Sequence, residues 1–312
     1  MDVSIVIVNW NTKNLLLQCL EAVYQTAGAV ETEVYVVDNG SADGSGTAVK
    51  ERFPGVTLIE NQINLGFAKA NNQALSLSKG DYLLLLNPDT RVEAEAIERL
   101  FSFMKGRSEA GAAGPQLLHS DGTKQNSIAN FPSLATELLN KRFLRWLFPK
   151  KFPGKERVYR EPLEVDSVIG ACMMVRRDAM EQVGLLDEDY FLFLEETDWC
   201  YRLKKAGWKI YHVPQAEVYH FQGKGVGMEK KRARIEYYRS RALFFKKNRG
   251  NLQWLVLLIG SMVRLGAGLF FMAVVCCFSL FSVKKWINKL SIYTFITWWY
   301  LKGCPEEMGL KK

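Results

Sequence analysis

An α/β fold with a mostly parallel sheet flanked by helices is the class this sequence predicts, and three observations carry the expectation. Short, β-branched apolar runs alternate with helix-length segments through residues 1–90. These runs are mostly apolar, as strands covered on both faces are. Each ends abruptly in polar or acidic residues, at the strand end where open parallel sheets bind ligands.

Taken in order, residues 3–8 read as a strand, 15–24 as a helix, 33–37 as a second strand and 42–53 as a second helix. Residues 57–60 follow as a third strand, 68–77 as a helix and Tyr82-Leu83-Leu84-Leu85-Leu86 as a fourth strand. Polar punctuation closes three of the strands: Asn9-Trp10-Asn11, Asp38-Asn39-Gly40-Ser41 and Asn87-Pro88-Asp89. A helix is expected over 91–105, and the basic, aromatic, Pro-containing stretch 131–160 reads as an insertion or loop. Residues 170–175 form another strand pattern, 187–194 lead into a second acidic cluster, and 198–206 read as a helix stopped by Gly207.

The last quarter changes character. Residues 229–247 form a helix pattern with Ile235, Tyr238, Ala242 and Phe245 on one face and a basic remainder, the signature of a membrane-surface helix. Residues 252–263 carry no charge, Arg264 interrupts, and 265–283 are 19 uncharged residues, where a span needs ~20. As one straight helix, 252–283 would exceed the hydrocarbon core. It would also hold Arg264 inside the bilayer, at ~2.5–3.5 kcal/mol if central. A hairpin bent near Gly266 and Gly268, or an interfacial helix followed by a span, avoids much of that cost. Tyr293, Phe295, Trp298, Trp299 and Tyr300 supply an interfacial aromatic belt. Lys284 and Lys285 lie beyond the apolar run, so positive charge does not orient it. A buried core helix is the bland alternative.

Composition narrows the partners. The 312 residues are 48% hydrophobic and 24% charged, enough for a large core and excluding disorder. A formal charge of +8 is concentrated in 224–249, which holds ten Lys or Arg against two Glu. That clustering points to an anionic partner, and the adjoining apolar segments favour anionic lipid over nucleic acid. The six cysteines form no CxxC pair and lack zinc-site spacing, consistent with reduced thiols. Met1-Asp2 runs straight into a strand with no signal-peptide features, so the folded part is expected to face the cytoplasm. The chain divides into a catalytic region at 1–225, a basic helix at 226–250 and a membrane-associated region at 251–312.

Chemistry concentrates at the strand ends. Asp38 can accept hydrogen bonds from a base or ribose, although Asp-Asn-Gly-Ser is also ordinary turn chemistry. Gly66, in Asn64-Leu65-Gly66-Phe67-Ala68, permits close backbone approach, while Asn64 suits the cap of a helix carrying Asn71 and Asn72. Pro88 stiffens the turn between Asn87 and Asp89, and a carboxylate there suits Mg²⁺ or Mn²⁺ completed by substrate phosphates; a helix cap is the alternative. Glu195, Glu196 and Asp198 suit a helix N-terminus, but the apolar approach through Phe191 and Phe193 would favour a raised carboxylate pKa and a general base. His220 stands beside glycines, where a neutral imidazole can bind metal or serve structure alone.

Taken together, Ser4-Ile5-Val6-Ile7-Val8-Asn9-Trp10-Asn11, Val37-Asp38-Asn39-Gly40-Ser41, Asn64-Leu65-Gly66-Phe67-Ala68, Asn87-Pro88-Asp89, Gly170-Ala171 and Glu195-Glu196-Thr197-Asp198-Trp199-Cys200 resemble the family 2 glycosyltransferases. The likeness runs from residue 3 to about 247 and is greatest to the rhamnosyltransferase-like branch of bacterial polysaccharide synthesis. It implies a GT-A fold, a nucleotide-sugar donor, Mg²⁺ or Mn²⁺ and inversion at the anomeric carbon. By the same resemblance Val8, Asn9, Asp38, Asn39, Gly66, Asn71 and Asn87 would contact the nucleotide sugar, and Asp89 and His220 the metal. The base would be Glu196, standing where many relatives have Asp, with Glu195 its nearest rival and Asp198 beside them.

The expected reaction moves a sugar, L-rhamnose from dTDP-rhamnose first, to a hydroxyl of a lipid-linked or cell-surface glycan at the cytoplasmic face of a bacterial inner membrane. An anionic membrane surface is expected to meet residues 226–301. Two rivals are a catalytically inactive, membrane-tethered GT-A protein that binds a nucleotide or glycan, and a nucleotidyltransferase. The latter would carry a Gly-rich phosphate loop with a basic residue after the first strand, and Asn9-Trp10-Asn11 has none.

Overall fold

The computed structural model describes residues 1–26, 30–139, 144, 146–148, 159–221 and 230–310. The expected insertion at 131–160 and the expected basic helix at 226–250 therefore lie partly outside the described residues. The chain forms two compact units. One comprises Met1–Phe131, Pro153–Phe191 and Glu195–Gly227, the other Pro132–Phe152, Leu192–Leu194 and Met228–Lys312.

The first unit is organised by a nine-stranded sheet. Its leading half alternates β1 (Val3–Asn9), α1 (Lys13–Thr26), β2 (Thr32–Asn39), α2 (Ser45–Arg52), β3 (Thr57–Asn61), α3 (Phe67–Leu75) and β4 (Tyr82–Leu86). The strands pair in parallel in the order β3-β2-β1-β4. Period-two geometry sends Ile5, Ile7, Leu84 and Leu86 to one face against α1, and Val6, Val8, Leu83 and Leu85 to the other against α3. Two cores result, which explains why β1 and β4 read as almost wholly apolar runs.

Beyond β4 come β5 (Thr90–Val92), α4 (Ala96–Lys105), β6 (Ala110–Leu118), β7 (Ile128–Ala129), α5 (Leu134–Leu138), β8 (Leu163–Val165), β9 (Ser167–Val168) and β10 (Cys172–Arg176). Then follow α6 (Arg177–Val183), α7 (Glu195–Lys205) and β11 (Lys209–His220). The reversed strand β10 enters beside β4, and β6 and β11 extend the sheet with β5 at its edge. Gly207 ends the α7 segment at a φ of +97°, the left-handed geometry expected of a glycine stop.

Two expectations are corrected here. The helix expected over 91–105 begins only at Ala96, because residues 90–92 pair with β11 as β5. A helix cap at Asp89 is thereby excluded. Strand β6 has poor strand composition, Ala-Gly-Ala-Ala-Gly, yet its glycines fit close neighbours. A Cβ on Gly111 would lie 2.6 Å from Trp208 Cβ, and one on Gly114 2.7 Å from Val168 Cβ.

The second unit is helical: α5, α8 (Lys230–Asn248), α9 (Asn251–Phe278), α10 (Lys284–Leu301) and a 3₁₀ turn at Glu306–Met308. The basic segment is not the one-faced surface helix expected, since α8 buries Glu236, Ser240 and Arg241 along with Ile235 and Phe245. Arg241 reaches Glu137 Oε2 at 3.3 Å and donates to Ser261 Oγ at 2.8 Å, while Arg264 Nη1 donates to the Glu137 carbonyl at 2.8 Å. The bend expected near Gly266 and Gly268 is absent, because α9 runs unbroken through both. Gly268 instead permits close helix packing: a Cβ there would sit 2.9 Å from Tyr293 Cε2.

Candidate active site

The carboxyl ends of β1 and β2 carry a locked polar network. Asn9 faces Asp38 across the two strands and donates to Asp38 Oδ1 and Ser41 Oγ, each at 3.1 Å, while its Oδ1 accepts from Thr12 at 2.6 Å. Asn39 donates to Asn64 Oδ1 at 2.9 Å and to the Gly66 carbonyl at 3.2 Å, and accepts from Leu65 N. Asn64 thus braces the loop; no side chain caps α3. Gly66 has a φ of +87°, and a Cβ there would lie 2.6 Å from the Phe191 carbonyl oxygen. Phe67 N donates to the same oxygen at 2.7 Å, tying this loop to the approach to α7. Asn71 is buried and donates to Phe67 O, and Val8 is buried in the sheet.

The end of β4 supplies the second cluster. Pairing of Thr90 with His220 brings Asp89 and His220 together, with Nε2 3.4 Å from Asp89 Oδ1. Phe221 N donates to the Asp89 carbonyl at 2.8 Å. Gln125, buried and 95 residues away in sequence, orients the imidazole: its Nε2 donates to the His220 carbonyl at 3.2 Å. A carbonyl only accepts, so Oε1 must be the atom 2.7 Å from Nδ1, and Nδ1 carries the proton. Nε2 is left as the ring atom that faces the Asp89 carboxylate, and in the neutral ring it could share a cation with that carboxylate.

These two donors fit a divalent cation. Bonds of ~2.1 Å at right angles put two ligands ~3 Å apart, close to the observed separation. Among the described residues no group of three His, Cys, Asp or Glu could hold a metal. Phosphate oxygens and water would have to complete the shell, as is usual for Mg²⁺ and Mn²⁺. Cys19, close behind with its Sγ 3.6 Å from the Asn87 carbonyl, is pushed up to about 12 by burial and stays a thiol.

The third cluster opens α7. Phe193 and Leu194, immediately before it, adopt φ of +70° and +66°, costly for side-chain-bearing residues and frequent at functional sites. Glu195 is buried, whereas Glu196 is half-buried and lies against Gly170, whose absent Cβ would approach its Cβ and Cγ to 3.3 Å. Asp198 is buried and engaged by Arg202 Nε at 2.8 Å and Tyr190 Oη at 3.4 Å. Gly170 and Ala171 link this cluster to the second, because Ala171 O accepts from Asn87 N at 2.9 Å. Glu196 and the Asn87-Pro88-Asp89 turn therefore flank one dipeptide.

Residues 4–184 match the family model described as glycosyl transferase family 2. The chain belongs to that family. Among its glycosyltransferase relatives, the N-acetylglucosaminyl-diphospho-decaprenol L-rhamnosyltransferase of Mycobacterium tuberculosis is 32% identical over 227 residues, 68% of this chain and 73% of the relative. The rhamnosyltransferase WbbL of Escherichia coli K12 is 28% identical over 181 residues, 55% of this chain and 66% of its own. The Pyrobaculum calidifontis mannosyltransferase PcManGT, solved with GDP-Man and Mn²⁺, superposes with a TM-score of 0.59 at 16% identity, covering 96% of this chain and 86% of that one. The GT-A fold expected from the resemblance is thus present, and this family 2 glycosyltransferase is an enzyme.

Gln125 was missed by sequence reasoning, as was the packing of Glu196 on Gly170. The Gly170-Ala171 pair was visible as a motif, but Gln125 sits in a stretch with no periodicity and no motif of its own.

Proposed function

We propose that this glycosyltransferase moves a sugar from a nucleotide diphosphate to an acceptor hydroxyl in a single inverting displacement, with Glu196 as the general base. The observation that carries this reading is the Gly170-Ala171 bridge, which keeps Glu196 beside the Asp89 turn. Between the two adjacent glutamates, burial of Glu195 and partial exposure of Glu196 favour Glu196. Asp198 is committed to Arg202 and Tyr190, so its role is to hold α7.

In this mechanism Asn9, Asp38 and Asn39 hold the nucleoside at the ends of β1 and β2, with Gly66 leaving room for its approach. Asn87, Asp89 and His220 face the diphosphate. A divalent cation bound by Asp89 and His220 would neutralise charge on the leaving group. Glu196 accepts the proton of the acceptor hydroxyl as it attacks the anomeric carbon. The transition state has oxocarbenium character, and the two clusters flank it from the acceptor and leaving-group sides.

L-rhamnose from dTDP-rhamnose is the first donor to test, because relatives from Mycobacterium tuberculosis, Escherichia coli and Shigella flexneri are rhamnosyltransferases by name. A lipid-linked acceptor is supported by the decaprenol in the mycobacterial relative's name, and the apolar surface of α9 supports membrane association. The cytoplasmic face is the matching location. Screening dTDP-, UDP- and GDP-sugars for Mn²⁺-dependent hydrolysis and transfer tests the reading. Turnover of none of them, with nucleotide binding intact, would argue for a binding protein instead.

A further inference from the structure

The second unit presents more apolar surface than it covers. Only one stripe of α9 is buried, through Leu257, Ser261, Leu265, Met272 and Cys276, while Leu252, Ile259, Val263, Phe270, Phe271 and Phe278 are exposed. An exposed apolar surface of that kind marks a contact with lipid or with another protein, and the length and hydropathy of α9 favour lipid. Length and hydropathy alone would let α9 cross a bilayer.

Its connections exclude that. The start of α9 follows α8 through Gly250, and Ser261 is bonded to Arg241 of α8. The end of α10 also returns to α8: Arg239 donates to the Pro305 and Glu306 carbonyls, and Leu310 N donates to Glu236 Oε2. Both arms of the hairpin therefore begin and finish at one helix, so crossing once is impossible, and crossing twice would require α10 to span as well. Between Lys289 and Lys302, α10 offers only residues 290–301 as an uncharged stretch. At ~1.5 Å per residue that is roughly 18 Å, against a hydrocarbon core of ~30 Å.

We propose that the α9–α10 hairpin is a monotopic anchor that beds in one leaflet of a lipid bilayer and leaves by the face through which it enters. The proposal rests on the membrane association above and specifies its form. Exposed Lys284, Lys285 and Lys289 near the hairpin tip then lie at the headgroups, where anionic lipid attracts them, instead of emerging on the far side. Arg264, bonded to the Glu137 carbonyl midway along α9, likewise stays within reach of the headgroup layer.

The test uses the full chain in sealed inverted membrane vesicles, with Cys277→Ser and Cys304→Ser removing the exposed native thiols. A membrane-impermeant maleimide is applied to a variant with Lys285→Cys at the tip and, separately, to one with Lys246→Cys on α8. Monotopic seating predicts that both label from outside at similar rates, with or without detergent. Labelling of Lys285→Cys only after permeabilisation, while Lys246→Cys labels at once, overturns the proposal. Recovery of the chain in the supernatant, as a monomer or as a dimer covering Phe270 and Phe271, overturns the membrane reading itself and the anchor with it.

Discussion

Gln125 grips His220 with both ends of its amide, Oε1 accepting from Nδ1 at 2.7 Å and Nε2 donating to the backbone carbonyl at 3.2 Å. The pair fixes the ring's orientation and aims Nε2 at Asp89. Replacement by Leu removes both bonds and lets the imidazole reorient. Mn²⁺ affinity, read by electron paramagnetic resonance titration in the presence of nucleoside diphosphate, is expected to fall by about 10–100-fold. His220→Ala and Asp89→Ala serve as references. If both weaken Mn²⁺ and Gln125→Leu does not, the amide is only a packing group.

Glu196 and Asp198 are two residues apart and should separate cleanly. Glu196→Gln keeps the volume that rests on Gly170 and removes the proton acceptor, so kcat should drop by about 10²–10⁴-fold with donor affinity unchanged. Asp198→Asn breaks a charge-assisted bond to Arg202 from a buried position, and should cost about 2 kcal/mol in urea unfolding. Near-normal turnover in Glu196→Gln would move the base to Glu195.

Gly66→Ala tests the loop that joins the nucleotide side to the approach to α7. A Cβ at a φ of +87° and 2.6 Å from the Phe191 carbonyl cannot be accommodated without moving backbone. The expected loss is at least about 1 kcal/mol of stability, accompanied by a raised Kd for the nucleotide. Unchanged nucleotide affinity in a destabilised variant would assign Gly66 to folding alone.

Strands β1, β2 and β4 were legible because burial on both faces requires mostly apolar runs, and polar residues at their ends had to lie on the ligand-binding rim. Strand β6 was illegible because Ala and Gly were selected by what packs on them, Trp208 and Val168, which the local sequence does not name. The spacing of Ile97, Leu100 and Met104 gave a genuine helix, but Val92 extends the same apolar series back into what is strand β5. At the site, motif residues stood out and Gln125 did not, since its meaning depends on a partner 95 residues away. Arg264 was visible as an interruption, while its partner, the Glu137 carbonyl, was not.

His212 offers a pH signature in the first unit. It lies in β11, fully buried between β6 and β8, with the Tyr159 ring 6.0 Å away edge-on. Burial pulls its pKa down to about 4 from the ordinary 6.5, with Lys124 pressing the same way and backbone contacts at Gly114 opposing. The folded state therefore resists protonation that the unfolded chain accepts. Above pH 6.5 there is no penalty; as pH falls from 6.5 towards 4 the unfolded state gains protons first, and stability declines by roughly 3 kcal/mol. Carboxylates with hydrogen bonds from Ser4 and Ser45, Glu33 and Asp43, are held low despite the opposing pull of burial, and lose their contribution only as pH falls below the ordinary carboxylate values of 4.5 and 3.8. The window from 6.5 down to 5 thus reports on the histidine. Urea midpoints at pH 7.5, 6.0 and 5.0 should fall steadily in the parent chain and stay level in His212→Leu, whatever that variant's stability at pH 7.5. A parallel decline in both would trace the pH dependence to another group.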